Sequence, residues 1–366
     1  MLKNKINRTD VAVIVLTLNA GKLWVEWIQA IQQQTVLAGR YLVIDSTSED
    51  HTAELASAAG LDVLRINPTE FNHGGTRQLA AELCPDADLL VYLTQDAILK
   101  QTDSLERILR WFDADPQVGL AYGRHLPRAE ADLLECHARS FTYPAESSIR
   151  DRHSFRQMGY RAAFSSDVYA VYRARALRSI GGFPHNIIVS EDSYVAARLL
   201  LAGWKTVYAA DSTVEHSHHY SLRQIFRRYF DVGVFHTTEQ ALMQTVGAPD
   251  QEAGTYVRSL IAYLGARRKR LLPLAALQTF IKLIGFRLGR HYQRLPHGAC
   301  RLISVQKSYW QQPMFTPSSR WRSFSSVSLA VAGILPVFSP SAEVGTDFDN
   351  LKENLLQDVD SKELEY

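Results

Sequence analysis

Apolar runs that stop at a carboxylate are the first feature of this 366-residue chain. Residues 88–97 read Asp-Leu-Leu-Val-Tyr-Leu-Thr-Gln-Asp-Ala, the pattern of a fully buried parallel strand that ends at Asp96. In open α/β sheets ligands bind off the carboxyl ends of strands, so Asp96 is either a ligand-facing acid or the opener of a turn or helix. A second strand end, Asp45-Ser46-Thr47-Ser48-Glu49-Asp50, is dense in groups that suit a ribose or base. Helix capping accounts for Ser48 or Asp50 but leaves Asp45 unexplained. Gly74-Gly75-Thr76-Arg77 precedes a helical pattern that starts at Gln78. Paired glycines let a backbone approach a ligand, and a helix start with an arginine favours a phosphate; a plain flexible turn is the alternative. Glu191 and Asp192 follow Ser190, a candidate cap, in the first turn of another helix, where acids complement the dipole. Three histidines in four residues, His216, His218 and His219, offer imidazoles suited to a transition metal and less to magnesium.

These residues need a scaffold, and the intervening pattern supplies one. Strand-like runs at 11–16, 41–44, 61–66, 89–94, 118–123 and 206–209 alternate with helical patterns at 23–33, from 78, at 103–112 and at 191–203. Thr17 and Asn19 sit in the loop that closes the first run. Repeated β-then-α alternation predicts an α/β protein with a mostly parallel, nucleotide-binding sheet. No GxGxxG follows the first strand and no GxxxxGK[ST] occurs, which argues against dinucleotide and P-loop sites. Residues 124–161 lack periodicity and suit a mobile insertion near the site.

Composition bounds the rest. With 46% hydrophobic and 21% charged residues the chain is an ordinary globular one, of one large domain or two. Its net charge of +2 conceals a division. No Asp or Glu occurs in residues 253–342, against about a dozen Lys and Arg, whereas 343–366 is acidic. Three distant cysteines without a CxxC spacing suit a reducing compartment, and no signal peptide is evident, so cytoplasmic residence is expected. Pro273, Gln278 and Lys282 interrupt the apolar stretch 271–286, so a spanning helix is not expected.

Taken in order, Thr17-Leu18-Asn19-Ala20, Ile44-Asp45-Ser46-Thr47-Ser48, Gly74–Arg77, Gln95-Asp96-Ala97, Gly181-Gly182-Phe183, Glu191-Asp192 and the later histidines resemble glycosyltransferase family 2 across residues 11–236. Residues 71–77 and 214–218 look most like the rhamnosyltransferase branch that uses dTDP-L-rhamnose. The resemblance implies a GT-A fold, with a Rossmann-like nucleotide half joined to an acceptor half, and an inverting transfer. Carried over by motif, Thr17, Asn19, Asp45 and Ser46 would hold the nucleoside and Arg77 would lie near the pyrophosphate. Asp96, beside Gln95, would stand at the last position of the DxD-type element and ligate a divalent metal, Mg2+ or Mn2+, with His216 as a further ligand. Asp192 would be the general base, supported by Glu191. The first acid of that element is Thr94 here, which leaves one carboxylate for the metal.

By this reading residues 1–240 form the catalytic domain, 241–310 a basic helical extension and 311–366 a largely disordered tail. Arg223, Arg227 and Arg228 interleave with Phe226, Tyr229 and Phe230, and the run Arg267-Arg268-Lys269-Arg270 follows. Such patterns suit an anionic membrane surface, peripheral at the inner face of the plasma membrane, where a lipid-linked or polysaccharide acceptor would be met. Two other readings use the same residues: transfer from a UDP- or GDP-sugar, and a non-catalytic nucleic-acid binder. Carboxylates at several strand ends would repel nucleic-acid phosphates, which argues against the binder and for no nucleic-acid partner.

Overall fold

A computed structural model describes residues 5–247 and 250–311. The expected tail, 311–366, lies outside the described residues from 312 onward. Nine strands form a single sheet: β1 Ile6–Thr17, β2 Val36–Asp45, β3 Asp62–Arg65, β4 Leu89–Thr94, β5 Ile98–Leu99, β6 Val118–Leu126, β7 Ser148–Arg150, β8 Tyr169–Arg173 and β9 Lys205–Glu215. Their order is β3-β2-β1-β4-β8-β6-β9-β5, with β7 also paired to β9. β1, β2, β3 and β4 are parallel neighbours, as are β6 and β9. β8 runs antiparallel between β4 and β6. The sheet is therefore mixed but mostly parallel in direction.

Among the described residues thirteen α-helices accompany it: α1 Leu23–Gln32, α2 Thr52–Ala58, α3 His73–Leu83, α4 Ser104–Ala114, α5 Leu133–Thr142, α6 Ser154–Met158, α7 Ala174–Ser179, α8 Glu191–Leu201, α9 Leu222–Thr238, α10 Gln240–Val246, α11 Asp250–Arg267, α12 Leu272–Arg290 and α13 His297–Ile303. The central strands are buried on both faces, which is why they read as unbroken apolar runs. In β1, Val11, Val13 and Val15 pack with Trp24 and Ile28 of α1 and Ile108 of α4. Ala12 and Ile14 turn to the opposite layer, with Ala80 of α3, Leu177 of α7 and Leu199 of α8.

Three expectations change. Residues 124–161 are not an aperiodic insertion; they carry α5 and β7, and β7 extends the sheet beside β9. Pro273 falls in the first turn of α12, where its missing N–H costs nothing, so the helix is continuous. Lys282 does not interrupt it either, because its ammonium lies over the Tyr229 and Tyr256 rings, 5.6 and 5.3 Å from their centroids. The stretch Lys269–Arg290, with mean hydropathy 1.5 and 11% buried, is long and apolar enough to cross a membrane by length and composition.

One side of α12 is closed against α9. A Cβ on Gly285 would meet Phe226 O at 2.5 Å, one on Gly289 would meet Phe230 O at 2.0 Å, and one on Gly233 would meet Phe286 O at 2.2 Å. The two backbones touch through glycine, so the boundary expected at residue 240 separates helices in sequence while α9 and α12 stay packed together. Gly289→Ala should cost about 1–3 kcal/mol of stability, the usual range for overpacking, read as a lower urea midpoint.

Candidate active site

The polar residues gather at the carboxyl edge of the sheet. β1, β2, β4, β6 and β9 end there, and β8, running the other way, begins there. The loop before β8 thus brings Asp167 to the same edge, beside the first turns of α3 and α8.

At the ends of β1 and β2 the side chains tie loops together. Asp45 is fully buried: its Oδ1 accepts from the Thr17 and Ser48 hydroxyls and its Oδ2 from the Ser48 N–H. Asn19, at φ +46°, accepts the Glu49 N–H on Oδ1, and its own N–H goes to the Ser48 hydroxyl. Ser46 is buried with no hydrogen-bond partner for its hydroxyl. Gln95 clamps Leu18 from both sides, Oε1 accepting its N–H at 2.8 Å and Nε2 donating to its carbonyl at 3.1 Å. Asp45 is thus the tie under this rim and presents no exposed surface to a nucleoside.

Arg77 needs correction. The sequence suggests a cation at the pyrophosphate, but the guanidinium is 5% exposed and committed to protein acids. Its Nη1 donates to Glu191 Oε1 at 2.6 Å and its Nε lies 3.0 Å from Asp167 Oδ2. Tyr172 donates to the other Asp167 oxygen at 2.5 Å, and the Tyr92 hydroxyl holds the Arg77 carbonyl at 2.8 Å. The preceding glycines are corrected with it. α3 starts at His73, so Gly74 and Gly75 lie inside its first turn, where a Gly74 Cβ would strike the Pro184 carbonyl at 1.9 Å. Their close approach is to protein. Ser190, expected as a cap, instead takes φ +63° and makes no side-chain cap.

The acids around Arg77 part ways electrostatically. Burial raises Glu191, but Arg77 and His73 more than offset this and leave its carboxyl below the usual range. Burial and the Glu191 charge push Asp167 up to about 6 against the pull of Arg77. Burial, with the charges of Glu191 and Asp167, pushes Asp192 up to about 8. Asp192 Oδ1 accepts the Ser193 N–H at 2.6 Å, and among the described residues no cation pairs with it. One arginine neutralises two acids and leaves the third basic.

Asp96 heads the other group. Its Oδ1 accepts from the Thr94 hydroxyl at 2.7 Å, and its carbonyl takes an Arg128 N–H at 2.7 Å. Its Oδ2 faces His216 Nε2 at 3.3 Å and His218 Nε2 at 3.5 Å. Burial disfavours the charge, but hydrogen bonds from His216 and Thr94 outweigh it and hold the carboxyl well below the usual range. Burial lowers His218 to about 4, which leaves its imidazole lone pair free at neutral pH. Asp96, His216 and His218 each offer a ligand atom, all within 4.8 Å of one another. A carboxylate and two imidazoles suit a divalent transition ion, so this donor set fits a metal.

α5 backs this cluster. Glu135 accepts the His218 N–H at 2.9 Å, and Arg139 reaches the Nδ1 atoms of His216 and His125. His125 stacks on Tyr143 at 4.0 Å, and the Tyr143 hydroxyl in turn feels the Asp192 charge. Sequence reading named Asp96 and His216, offered His218 only as one of three candidate imidazoles, and left Asp167, Glu135 and Arg139 without roles. The i, i+2 spacing of His216 and His218 at a strand end was the available signal; the others had none. Arg228 is a further addition, exposed on α9 with its guanidinium over Tyr220 at 4.7 Å. Tyr220 in turn lies 5.1 Å from the His218 ring, which sets Arg228 near the histidine cluster.

A mostly parallel sheet with acids and imidazoles along its carboxyl edge is the arrangement of a ligand-binding α/β protein, and comparison with known proteins gives its class. Residues 89–268 match the family described as Glycosyl transferase family group 2. The chain is 38% identical over 309 residues to the O-antigen chain rhamnosyltransferase RfbN of Salmonella typhimurium, covering 84% of this chain and 98% of that protein. It is 40% identical over 307 residues to the O-antigen chain rhamnosyltransferase WbaN of Salmonella anatum, covering 84% and 97%. The mannosyltransferase PcManGT from Pyrobaculum calidifontis, solved in complex with GDP-Man and Mn2+, superposes with a TM-score of 0.51 at 18% identity, covering 84% of this chain and 88% of that one. That last likeness speaks for the fold. The chain belongs to glycosyltransferase family 2 and is a glycosyltransferase.

Replacing Arg77 would strand Asp167 and Glu191 as uncompensated buried charges. Arg77→Met should therefore lose about 3–5 kcal/mol in chemical denaturation.

Proposed function

We propose that this enzyme transfers L-rhamnose from dTDP-L-rhamnose, with inversion, to a hydroxyl of a lipid-linked or polysaccharide acceptor in cell-surface glycan assembly. The choice of sugar rests on the similarity to the two O-antigen chain rhamnosyltransferases over nearly their whole length. The observation that carries the mechanism is the division of labour among the three acids. Glu191 and Asp167 are paired directly with Arg77, whereas burial and the charges of those two acids raise Asp192 to about 8 against a weaker pull from Arg77. A base poised near working pH is what deprotonation of an acceptor alcohol asks for.

In this reading the rim formed by Thr17, Asn19, Ser46 and Gln95 seats the nucleoside, with Asp45 holding the rim together from below. Arg228, rather than Arg77, stands for the diphosphate, because it is exposed and lies over Tyr220 next to His218. Asp96, His216 and His218 would hold a divalent ion, which when bound supplies positive charge for the departing diphosphate. Asp192 takes the proton of the acceptor hydroxyl as its oxygen attacks the anomeric carbon, and the nucleoside diphosphate leaves from the opposite face. A single displacement inverts that centre, and no protein nucleophile is needed.

Membrane contact belongs to the same proposal. α12 turns Leu274, Leu277, Phe280, Leu283 and Ile284 outward, with Phe280 58% exposed. Exposed Arg268, Lys269 and Arg270 precede this face, and Arg287, Arg290 and Arg294 follow. The glycine seam with α9 favours a helix lying in an anionic leaflet over one that crosses it, since crossing would strip that seam. Such attachment suits a peripheral enzyme at the cytoplasmic face, where a lipid-linked acceptor is presented.

Nucleotide release with a panel of dTDP-, UDP- and GDP-sugars tests the donor, and a UDP- or GDP-sugar turned over faster than dTDP-L-rhamnose would replace it. Asp192→Asn should lower kcat by about 10²–10⁴-fold while leaving donor affinity nearly unchanged; equal loss of both removes Asp192 from the base role. Because only the ionised carboxylate accepts a proton, kcat/KM of the native enzyme should fall as pH drops below about 8. Changing Arg268, Lys269 and Arg270 to Gln should weaken partition onto phosphatidylglycerol vesicles by about tenfold to a hundredfold. Unchanged partition would sink the membrane proposal.

A further inference from the structure

Arg139 of α5 stands where it opposes the loading of the Asp96, His216 and His218 cluster. A guanidinium carries donors and no acceptor. Its Nη2 lies 3.2 Å from His216 Nδ1, so that ring nitrogen must accept. The ring hydrogen then sits on Nε2, which faces Asp96 Oδ2 at 3.3 Å. A metal ion needs the reverse arrangement, with the lone pair on Nε2 and the hydrogen on Nδ1. The N–H would then point at a group that cannot receive it. Metal-bound histidines ordinarily donate their second N–H to a carboxylate, carbonyl or water, and here that place is taken by a cation.

We propose that Arg139 is a positioning residue that holds His216 in the metal-refusing tautomer until a nucleoside diphosphate draws the guanidinium away, so that metal and donor bind cooperatively. The inference rests on the metal reading of the cluster given above. The protein partners of Arg139 are weak ones: its carboxylate neighbour Glu135 is 3.8 Å away, with that same oxygen receiving the His218 N–H, and its other nitrogen meets the neutral imidazole of His125 at 3.3 Å. A guanidinium is the side chain best matched to phosphate oxygens, so an arriving diphosphate offers it a stronger partner than an imidazole. Release of His216 frees its Nδ1 to carry the hydrogen and its Nε2 to bind. By linkage, whatever the diphosphate adds to metal affinity the metal adds to diphosphate affinity.

The test measures Mn2+ affinity of the full chain by competition with a fluorescent chelator, alone and with thymidine diphosphate. Native protein is compared with Arg139→Gln, whose amide oxygen can accept from Nδ1–H, and Arg139→Met, which neither donates nor accepts. In the native protein the diphosphate should tighten Mn2+ binding by about tenfold or more. Both variants should bind Mn2+ alone about tenfold more tightly than native protein, with that enhancement reduced. A role limited to supporting the fold predicts the opposite sign. Mn2+ binding that weakens or stays level in the variants, at a retained melting temperature, overturns the inference and leaves the metal reading intact. Absence of Mn2+ binding in all three proteins, with and without diphosphate, overturns both.

Discussion

A single buried cation organises the catalytic edge. Arg77 joins α3 to the strand β8 through Asp167 and to the helix α8 through Glu191. Taking three charges out of water is expensive, and the arrangement holds because the guanidinium meets both carboxylates and Tyr172 supplies Asp167 with another hydrogen bond. Removing any member would leave a charge with no solvent to receive it. Asp192 adjoins this cluster but stays outside its pairing, and burial together with the charges of Glu191 and Asp167 raises its proton affinity. Structural ion pairing and the raised pKa of Asp192 belong to one electrostatic arrangement.

That arrangement depends on the direction of a strand. Were β8 parallel to its neighbours β4 and β6, its amino end and Asp167 would sit at the far edge of the sheet. Because β8 runs against them, the residue that anchors Arg77 arrives where β4 delivers Asp96 and β9 delivers His216. A short antiparallel strand thus brings Asp167, and with it Arg77 and Glu191, to the edge that carries Asp96. α5, with Glu135 and Arg139, closes the same edge from outside.

The catalytic edge is also coupled to the basic helices. α9 begins just after the histidine cluster and carries Arg228 beside it, while Gly233 of the same helix meets Gly289 and Phe286 of α12 at backbone distance. Glycine at this seam removes the side chains that would hold the helices apart, so a surface bound by α12 would sit at a set distance from the metal cluster. A longer side chain there would change that distance as well as the packing.

Much of this was legible in the sequence, for physical reasons that can be named. Doubly buried strands such as 89–94 must be apolar throughout, so their ends, and the acids placed there, stand out without coordinates. The order of those ends marked Asp96 and revealed the α/β class. What the linear chain concealed was pairing. Arg77 next to two glycines reads as an anion site, and only packing reveals that its anions are Asp167 and Glu191, 90 and 114 positions away. Gly74 reads as room for a ligand, and only the neighbouring loop shows that the room is filled by Pro184. Within residues 124–161, α5 is hard to read because His137 occupies part of the face it packs on α11, among Tyr256 and Tyr263 and beside the buried Leu134. Local composition determines which segments are buried, since burial depends on the side chains themselves. Which charge faces which is decided by tertiary structure, because Coulombic contact depends on separation in space and not along the chain.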